Sequence, residues 1–243
     1  MNRSKQGELM RIDHTIQALR FSRGSIIYTL EIDRGLVVVD TGSNPQAAHR
    51  LVEYLKQRDR EPEEIKYIFL THWHGDHSGG AEELRRITGA KIICHQDDAP
   101  LLSGSSEIES LWGKRMPRTG LNPILRMVCA VGYGFMNANT DSLLPDLVVG
   151  SGPAPFDPGW EVIHLPGHTP GSCGLWSPER KILFAGDTLI CIFSRIMLPI
   201  SFLIECPDKI GNSLHKLRDL GHIEWILPGH FLPLRWKRTL KNW

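Results

Sequence analysis

The ten residues THWHGDHSGG, positions 71 to 80, place three histidines and an aspartate within six positions, directly after the apolar run IKYIFL. Imidazole and carboxylate are the side chains that hold zinc and its neighbours in the first transition row. The spacing is HxHxDH, with His72, His74, Asp76 and His77. On an extended strand His72 and His74 would share a face, and a tight turn at Gly75 would bring Asp76 and His77 to a neighbouring point. This is not HExxH, in which a helix aligns two ligands four residues apart. The chemistry on offer is hydrolysis, because a bound cation lowers the pKa of water and polarises an electrophilic carbonyl.

The same residue types return further along. HLPGHTPGS supplies His168, LFAGDTL supplies Asp187, ILPGH supplies His230, and the early run LVVVDTG supplies Asp40. Taken in order with HxHxDH, these five motifs resemble the metallo-β-lactamase superfamily. The resemblance implies an α/β fold, an αββα sandwich of two mixed β-sheets flanked by helices, with a metal site where the strand-end loops meet. It further implies that His72, His74 and His168 hold one metal, that Asp76, His77 and His230 hold a second, and that Asp187 bridges them. Asp76 and Asp187 are then the candidate catalytic carboxylates, while Asp40 orients ligands without binding metal. Two Zn2+ ions suit this set, and iron or manganese would also accept it. His74 favours zinc, since the diiron flavoprotein branch usually carries a glutamate there.

The implied reaction is attack of a metal-bridged hydroxide on an ester-type carbonyl in a thioester, lactone or ester. GHTPGS with AGDTL is similar to the glyoxalase II and lactonase-like group. LICIFSRIML, however, stands where glyoxalase II has a Gly- and Cys-containing stretch, and no tyrosine follows Asp187 as it commonly does in quorum-signal lactonases. Two alternatives belong to the same superfamily: a phosphodiesterase or nuclease, and a β-lactam hydrolase. An aspartate at 187 and the absence of an apolar leader in MNRSKQGELMRIDH argue against the second.

These residues need a scaffold. GSIIYTLEI and LVVVDTG, on either side of Asp33, Arg34 and Gly35, predict a β-hairpin, and Asn44-Pro45 opens a helical pattern in QAAHRLVEYLKQRDR. IKYIFLTH, KIICH, WEVIHLPG, SCGLWS, KILFAGDT and IEWILPGH read as strands, and AEELRRITG and DKIGNSLHKLRDL as helices. Alternation of this kind favours a layered α/β arrangement. The chain reads as one domain over residues 1–243, with 96–150 an inserted lid or substrate segment whose sequence has no strict period. The apolar stretch from Leu189 to Ile204 is too short for a membrane span and contains Ser194, Arg195 and Pro199, so a buried connection is expected.

Composition narrows the partners. A formal net charge of +1, with 23% charged and 41% hydrophobic residues, argues against nucleic acid and for a small-molecule substrate. Lys237, Arg238 and Lys241 are expected to be a solvated tail. The five cysteines, Cys94, Cys129, Cys173, Cys191 and Cys206, never form CxxC, which points to a reducing cytoplasm and assigns Cys173 and Cys191 to packing. His95 is a minor candidate for the site, and His164 is expected to be a buried hydrogen-bonding strand residue. Apolar residues of the insert (Leu111, Trp112, Ile124, Leu125, Met127, Tyr133, Phe135), with Ile192, Phe193, Met197 and Phe202, would line an apolar pocket or else form a core or homodimer surface.

Overall fold

The computed structural model describes residues 8–21, 24–104, 142–199 and 203–241. Alternation along single strands shows how the layers arise. On β4 (Gly35–Val39), Val37 and Val39 point to one face while Leu36 and Val38 point to the other. On β11 (Ile182–Gly186), Ile182 and Phe184 likewise separate from Leu183 and Ala185. Both faces of both strands are therefore apolar, as buried central strands require.

The first sheet runs in chain order through β1 (Glu8–Arg11), β2 (Ile16–Leu19), β3 (Ile27–Ile32), β4, β5 (Ile65–Phe69), β6 (Lys91–His95) and β7 (Leu147–Val149). Pairing is antiparallel up to β4 and parallel from β4 to β7. The predicted hairpin is β3–β4, with Tyr28 opposite Val39 and Ile32 opposite Gly35. The second sheet contains β8 (Gly152–Ala154), β9 (Asp157–His164), β10 (Cys173–Ser177) and β11, followed after a separate hairpin of β12 (Ile190–Ile192) and β13 (Arg195–Met197) by β14 (His222–Pro228) and β15 (Leu234–Thr239). Its order is β15-β14-β11-β10-β9-β8, and only β11 and β14 are parallel.

Between the sheets lies a core built from Tyr28, Val37, Val39, Phe69, Trp160, Val162, Leu175 and Phe184, with the Tyr28 ring edge-on to Phe184. Helix α1 (Pro45–Lys56) covers the outer face of the first sheet through Ala48, Leu51 and Leu55; Asn44 caps it by accepting from Ala47 N at 3.1 Å. The one-turn helix α2 (Gly75–Ser78) and helix α3 (Ala81–Thr88) follow β5, and the short α4 (Ala99–Leu102) follows β6. On the far side, α5 (Ile210–Asp219) sets Leu217 against Leu183 and Ile226 of the second sheet. The result is helix, sheet, sheet, helix.

Three expectations change. Lys237 and Arg238 lie on β15, not in a tail, because LRWKRT pairs along β14 and so satisfies its backbone. Leu189–Ile204 is not simply a buried connection: Phe193 sits at the tip of the β12–β13 hairpin, 95% exposed, with Phe193 and Ser194 both in the left-handed region that a tight two-residue turn demands. Of the segment 96–150, residues 99–102 and 147–149 belong to α4 and β7, and the apolar side chains from Leu111 to Phe135 lie outside the described residues, as does Phe202. No helix among the described residues is long and apolar enough to cross a membrane.

Candidate metal centre

The strands that carry the site end at a common edge. β5 stops at Phe69, so His72 and His74 stand in the loop beyond it and not on the strand itself, and Asp76 and His77 follow on α2. The loop is pinned from below: Thr41, just past β4, donates from its N–H and its hydroxyl to His77 O at 2.7 and 2.8 Å, and Ser25 N–H donates to Asp76 O at 3.0 Å. From the second sheet, β9 leads to His168, β11 to Asp187 and β14 to His230. Gly229 N–H donates to Gly186 O at 2.8 Å, which sets the Asp187 and His230 loops side by side.

All seven sequence-derived candidates converge. His72 Nε2 and His168 Nε2 are 3.2 Å apart, and His77 Nε2 and His230 Nε2 are also 3.2 Å apart. His230 Nε2 lies 3.1 Å from Asp76 Oδ2 and 3.3 Å from Asp187 Oδ2; the same Asp187 oxygen is 3.6 Å from His168 Nε2. Potential ligand atoms gather in three overlapping groups: His72, His74 and His168; His72, His77 and Asp187; and Asp76, His77 and His230. Asp187 touches histidines of both expected halves, His168 of one and His77 and His230 of the other.

The outward faces of the rings decide which nitrogen is offered inward. A carboxylate only accepts, so the 2.8 Å contact from His77 Nδ1 to Asp40 Oδ2 places the proton on Nδ1 and leaves the Nε2 lone pair for a metal. Thr71 hydroxyl donates to Asp40 at 2.9 Å, so at 3.1 Å it accepts from His72 Nδ1–H, and Nε2 again faces inward. Asp40 thereby orients one ligand of each half, directly and through Thr71. Asp187 Oδ1 is buried without a hydrogen-bond partner, and the Nε2 atoms of four histidines close on one another in two 3.2 Å pairs, a donor set that a cation would satisfy. These donors fit a divalent metal pair.

The model of the metallo-β-lactamase superfamily matches residues 23–230. The chain belongs to the metallo-β-lactamase superfamily. Within it, the chain is 28% identical over 212 residues to the probable metallo-hydrolase YflN of Bacillus subtilis, covering 83% of this chain and 77% of that protein. It is 30% identical over 208 residues to the human acyl-coenzyme A thioesterase MBLAC2, covering 80% and 68%, and 29% identical over 160 residues to the hydroxyacylglutathione hydrolase GloC of Haemophilus influenzae, covering 65% and 62%. Among solved structures, the metallo-β-lactamase family protein TTHA1429 of Thermus thermophilus shares the fold with a TM-score of 0.65 at 21% identity, over 87% of this chain and 70% of that one.

Burial and the mutual charges of these side chains set the electrostatics of the site. Burial, reinforced by neighbouring imidazoles, holds His72 well below the ordinary histidine range. Burial likewise pushes His74 and His168 down to about 4, so all three offer neutral rings. On the other half burial opposes ionisation, yet the surrounding charges win: Asp187, Asp40 and Asp76 hold His77 well above its usual value, and Asp187 and Asp76 raise His230 to about 9. Against burial, the same imidazoles lower Asp76 to about 2 and Asp187 well below the carboxylate range. A cation held by this half would displace those protons.

Other candidates fall away. Burial raises the Cys191 thiol to about 12 and Cys173 well above its usual value, which fits packing and not ligation. His95 and His164 stack with centroids 3.9 Å apart at 19°, with Asp97 beside them. Near-parallel rings cannot aim in-plane lone pairs at one ion, and His164 Nε2 donates to Pro170 O at 2.8 Å, so this trio is not a metal site. His164 is half-buried.

Two residues here carry no motif. Asp98 accepts from Trp73 N–H at 3.0 Å, Thr169 hydroxyl at 2.8 Å and Gly171 N–H at 2.6 Å, sewing the His72–His74 loop to the His168 loop. Glu205 lies 2.8 Å from His74. Neither is marked by spacing, since each contact spans many residues of chain.

Proposed function

We propose that this chain is a two-zinc hydrolase of thioesters or related carboxylic esters with an apolar acyl portion, acting on a small molecule in the cytoplasm. The observation that carries it is the contact of Asp187 with histidines from both halves of a largely buried, seven-residue ligand set. His72, His74 and His168 would hold one ion, Asp76, His77 and His230 the other, and Asp187 both. When bound, the metal pair supplies an activated water and polarises the carbonyl. The chain's own part is to fix the ions through Asp76 and Asp187, keep the ligand rings in one tautomer through Asp40 and Thr71, and place the acyl portion.

The relatives named as thioesterase and hydroxyacylglutathione hydrolase support a thioester over a β-lactam, because the likeness to solved β-lactamases rests on the fold. The surface supports an apolar acyl group. Among the described residues, six large hydrophobics are exposed, and four of them, Phe193, Met197, Phe231 and Leu232, lie on the segments that follow Asp187 and His230. A β-bridge between Cys191 and Phe231 ties those segments together next to His230.

The deciding experiment is elemental analysis of the purified protein together with hydrolysis of acyl thioesters, lactones, aryl esters, a cephalosporin and a phosphodiester. About two zinc per chain with thioester turnover is the expected result. Iron in place of zinc overturns the metal, and phosphodiester cleavage alone overturns the carbonyl chemistry.

A further inference from the structure

Asp40 and Thr71 account for the orientation of His77 and His72, but His74 is held from elsewhere. Its Nε2 lies 2.8 Å from Glu205 Oε1, and both side chains are buried. Glu205 is 131 residues away along the chain and is not among the side chains whose ligand atoms converge. Its backbone is also engaged at the site. Glu205 N–H donates to His168 O at 3.1 Å, and the next residue, Cys206, donates from N–H to Gly167 O at 2.8 Å. One short segment thus grips two histidines of the same ligand group, His74 by its side chain and His168 by its main chain.

We propose that Glu205 is the positioning residue of the three-histidine half, fixing His74 so that Nδ1 faces the metal. The inference rests on the metal assignment above and adds a determinant that the ligand motifs do not contain. A carboxylate cannot donate, so Nε2 of His74 carries the proton and the lone pair is confined to Nδ1. The same contact makes the imidazole a stronger donor, as carboxylate–histidine pairs behind metal sites do. Three neutral histidines bring no negative charge of their own; Glu205 supplies one at a single remove, buried where screening is weak. His72 and His74 therefore differ in kind: one presents Nε2 and is backed by a hydroxyl, the other presents Nδ1 and is backed by an anion.

The test compares wild type, Glu205→Gln and Glu205→Ala. Metal content is measured after dialysis against graded chelator, the d–d spectrum is recorded after cobalt substitution, and circular dichroism and urea midpoints are taken on the metal-free proteins. Glu205→Ala is expected to lose one of the two metal equivalents at roughly 10- to 100-fold lower chelator than wild type, with a changed cobalt spectrum and the second equivalent retained. Glu205→Gln keeps an acceptor for Nε2–H and is expected to recover most of that affinity. If the alanine variant does not fold, the glutamine variant still decides, because a retained ring backed by a neutral acceptor without the anion predicts an intermediate chelator midpoint. Wild-type chelator curves and cobalt spectra in both variants overturn the proposal, even if metal-free stability falls, since that outcome describes a purely structural contact. Absence of metal from the wild type removes the metal assignment and this inference together; two equivalents held equally by wild type and variants remove this inference alone.

Discussion

Asp40 Oδ2 lies 2.8 Å from His77 Nδ1, and the other Asp40 oxygen accepts from Thr71 N–H at 2.9 Å. The residue that closes β4 thus faces the loop that closes β5. Asp40 adopts φ 57, a left-handed conformation that asparagine tolerates and alanine resists. Asp40→Asn should keep the fold and weaken metal retention by Asp76, His77 and His230 about 10- to 100-fold. Asp40→Ala should add a loss of roughly 1–3 kcal/mol, because the buried Thr71 N–H loses its acceptor. Chelator titration and urea unfolding of both variants separate the two effects, and identical behaviour of the two would contradict this account.

Gly229 approaches the ligands more closely than any side chain permits. A Cβ there would run into Asp187 Oδ1 and His77 Cε1. Gly229→Ala should therefore displace the Asp187 carboxylate and lower turnover by two orders of magnitude or more, since small misplacements at a reacting centre carry that cost. Circular dichroism should stay unchanged. Near-wild-type kcat would mean that the loop yields freely.

His95 gives a pH dependence that is independent of metal. Burial first, and His164 second, push its imidazole down to about 4. With an unfolded value of about 6.5, the unfolded chain takes up the proton before the folded one does. The stability this group contributes is present above pH 6.5 and is lost as pH falls toward 4. In urea unfolding with chelator throughout, the gap between wild type and His95→Gln should narrow by about 1–3 kcal/mol from pH 7.5 to pH 4.5. A constant gap would place the titration elsewhere.

The exposed apolar side chains on the segments after Asp187 and His230 predict chain-length selectivity. Covering a phenylalanine or leucine side chain is worth about 1.5–3 kcal/mol, or one to two orders of magnitude in kcat/KM. Phe193→Ser and Leu232→Ser should lower kcat/KM for long acyl thioesters by about that factor and leave acetyl thioesters unaffected. Equal losses on both substrates would point to a disturbed fold, and no loss on either would assign these side chains to another partner.

How much of this was legible beforehand follows the physics of each element. Strands with continuous apolar runs, such as IKYIF and KILFAG, announced themselves, as did α1 through Asn44-Pro45 and its apolar stripe. The three-residue strands β7, β8, β12 and β13 are too short to show a period, and β15 alternates weakly with basic residues. The ligand residues were readable because each stands in a tight Gly- or Pro-containing loop with a distinctive spacing. Asp98 and Glu205 were not, because an acidic residue in an irregular segment reads the same whether it faces water or a buried imidazole. The order of strands in the second sheet, with β14 inserted beside β11, is a non-local pairing that no local pattern specifies.

Neither half of the ligand set belongs to one sheet. His72 and His74 come from the first and His168 from the second; Asp76 and His77 come from the first and His230 from the second. Tyr28 reaches across the same gap to donate to Pro228 O at 2.6 Å, two residues before His230. Each ion would then act as a rivet through both leaves of the sandwich, and sliding of one leaf over the other would be resisted in proportion to occupancy. Hydrogen exchange in β5 and β14 should slow together on metal loading, making the rigidity of the whole body a readout of two small holes at its edge.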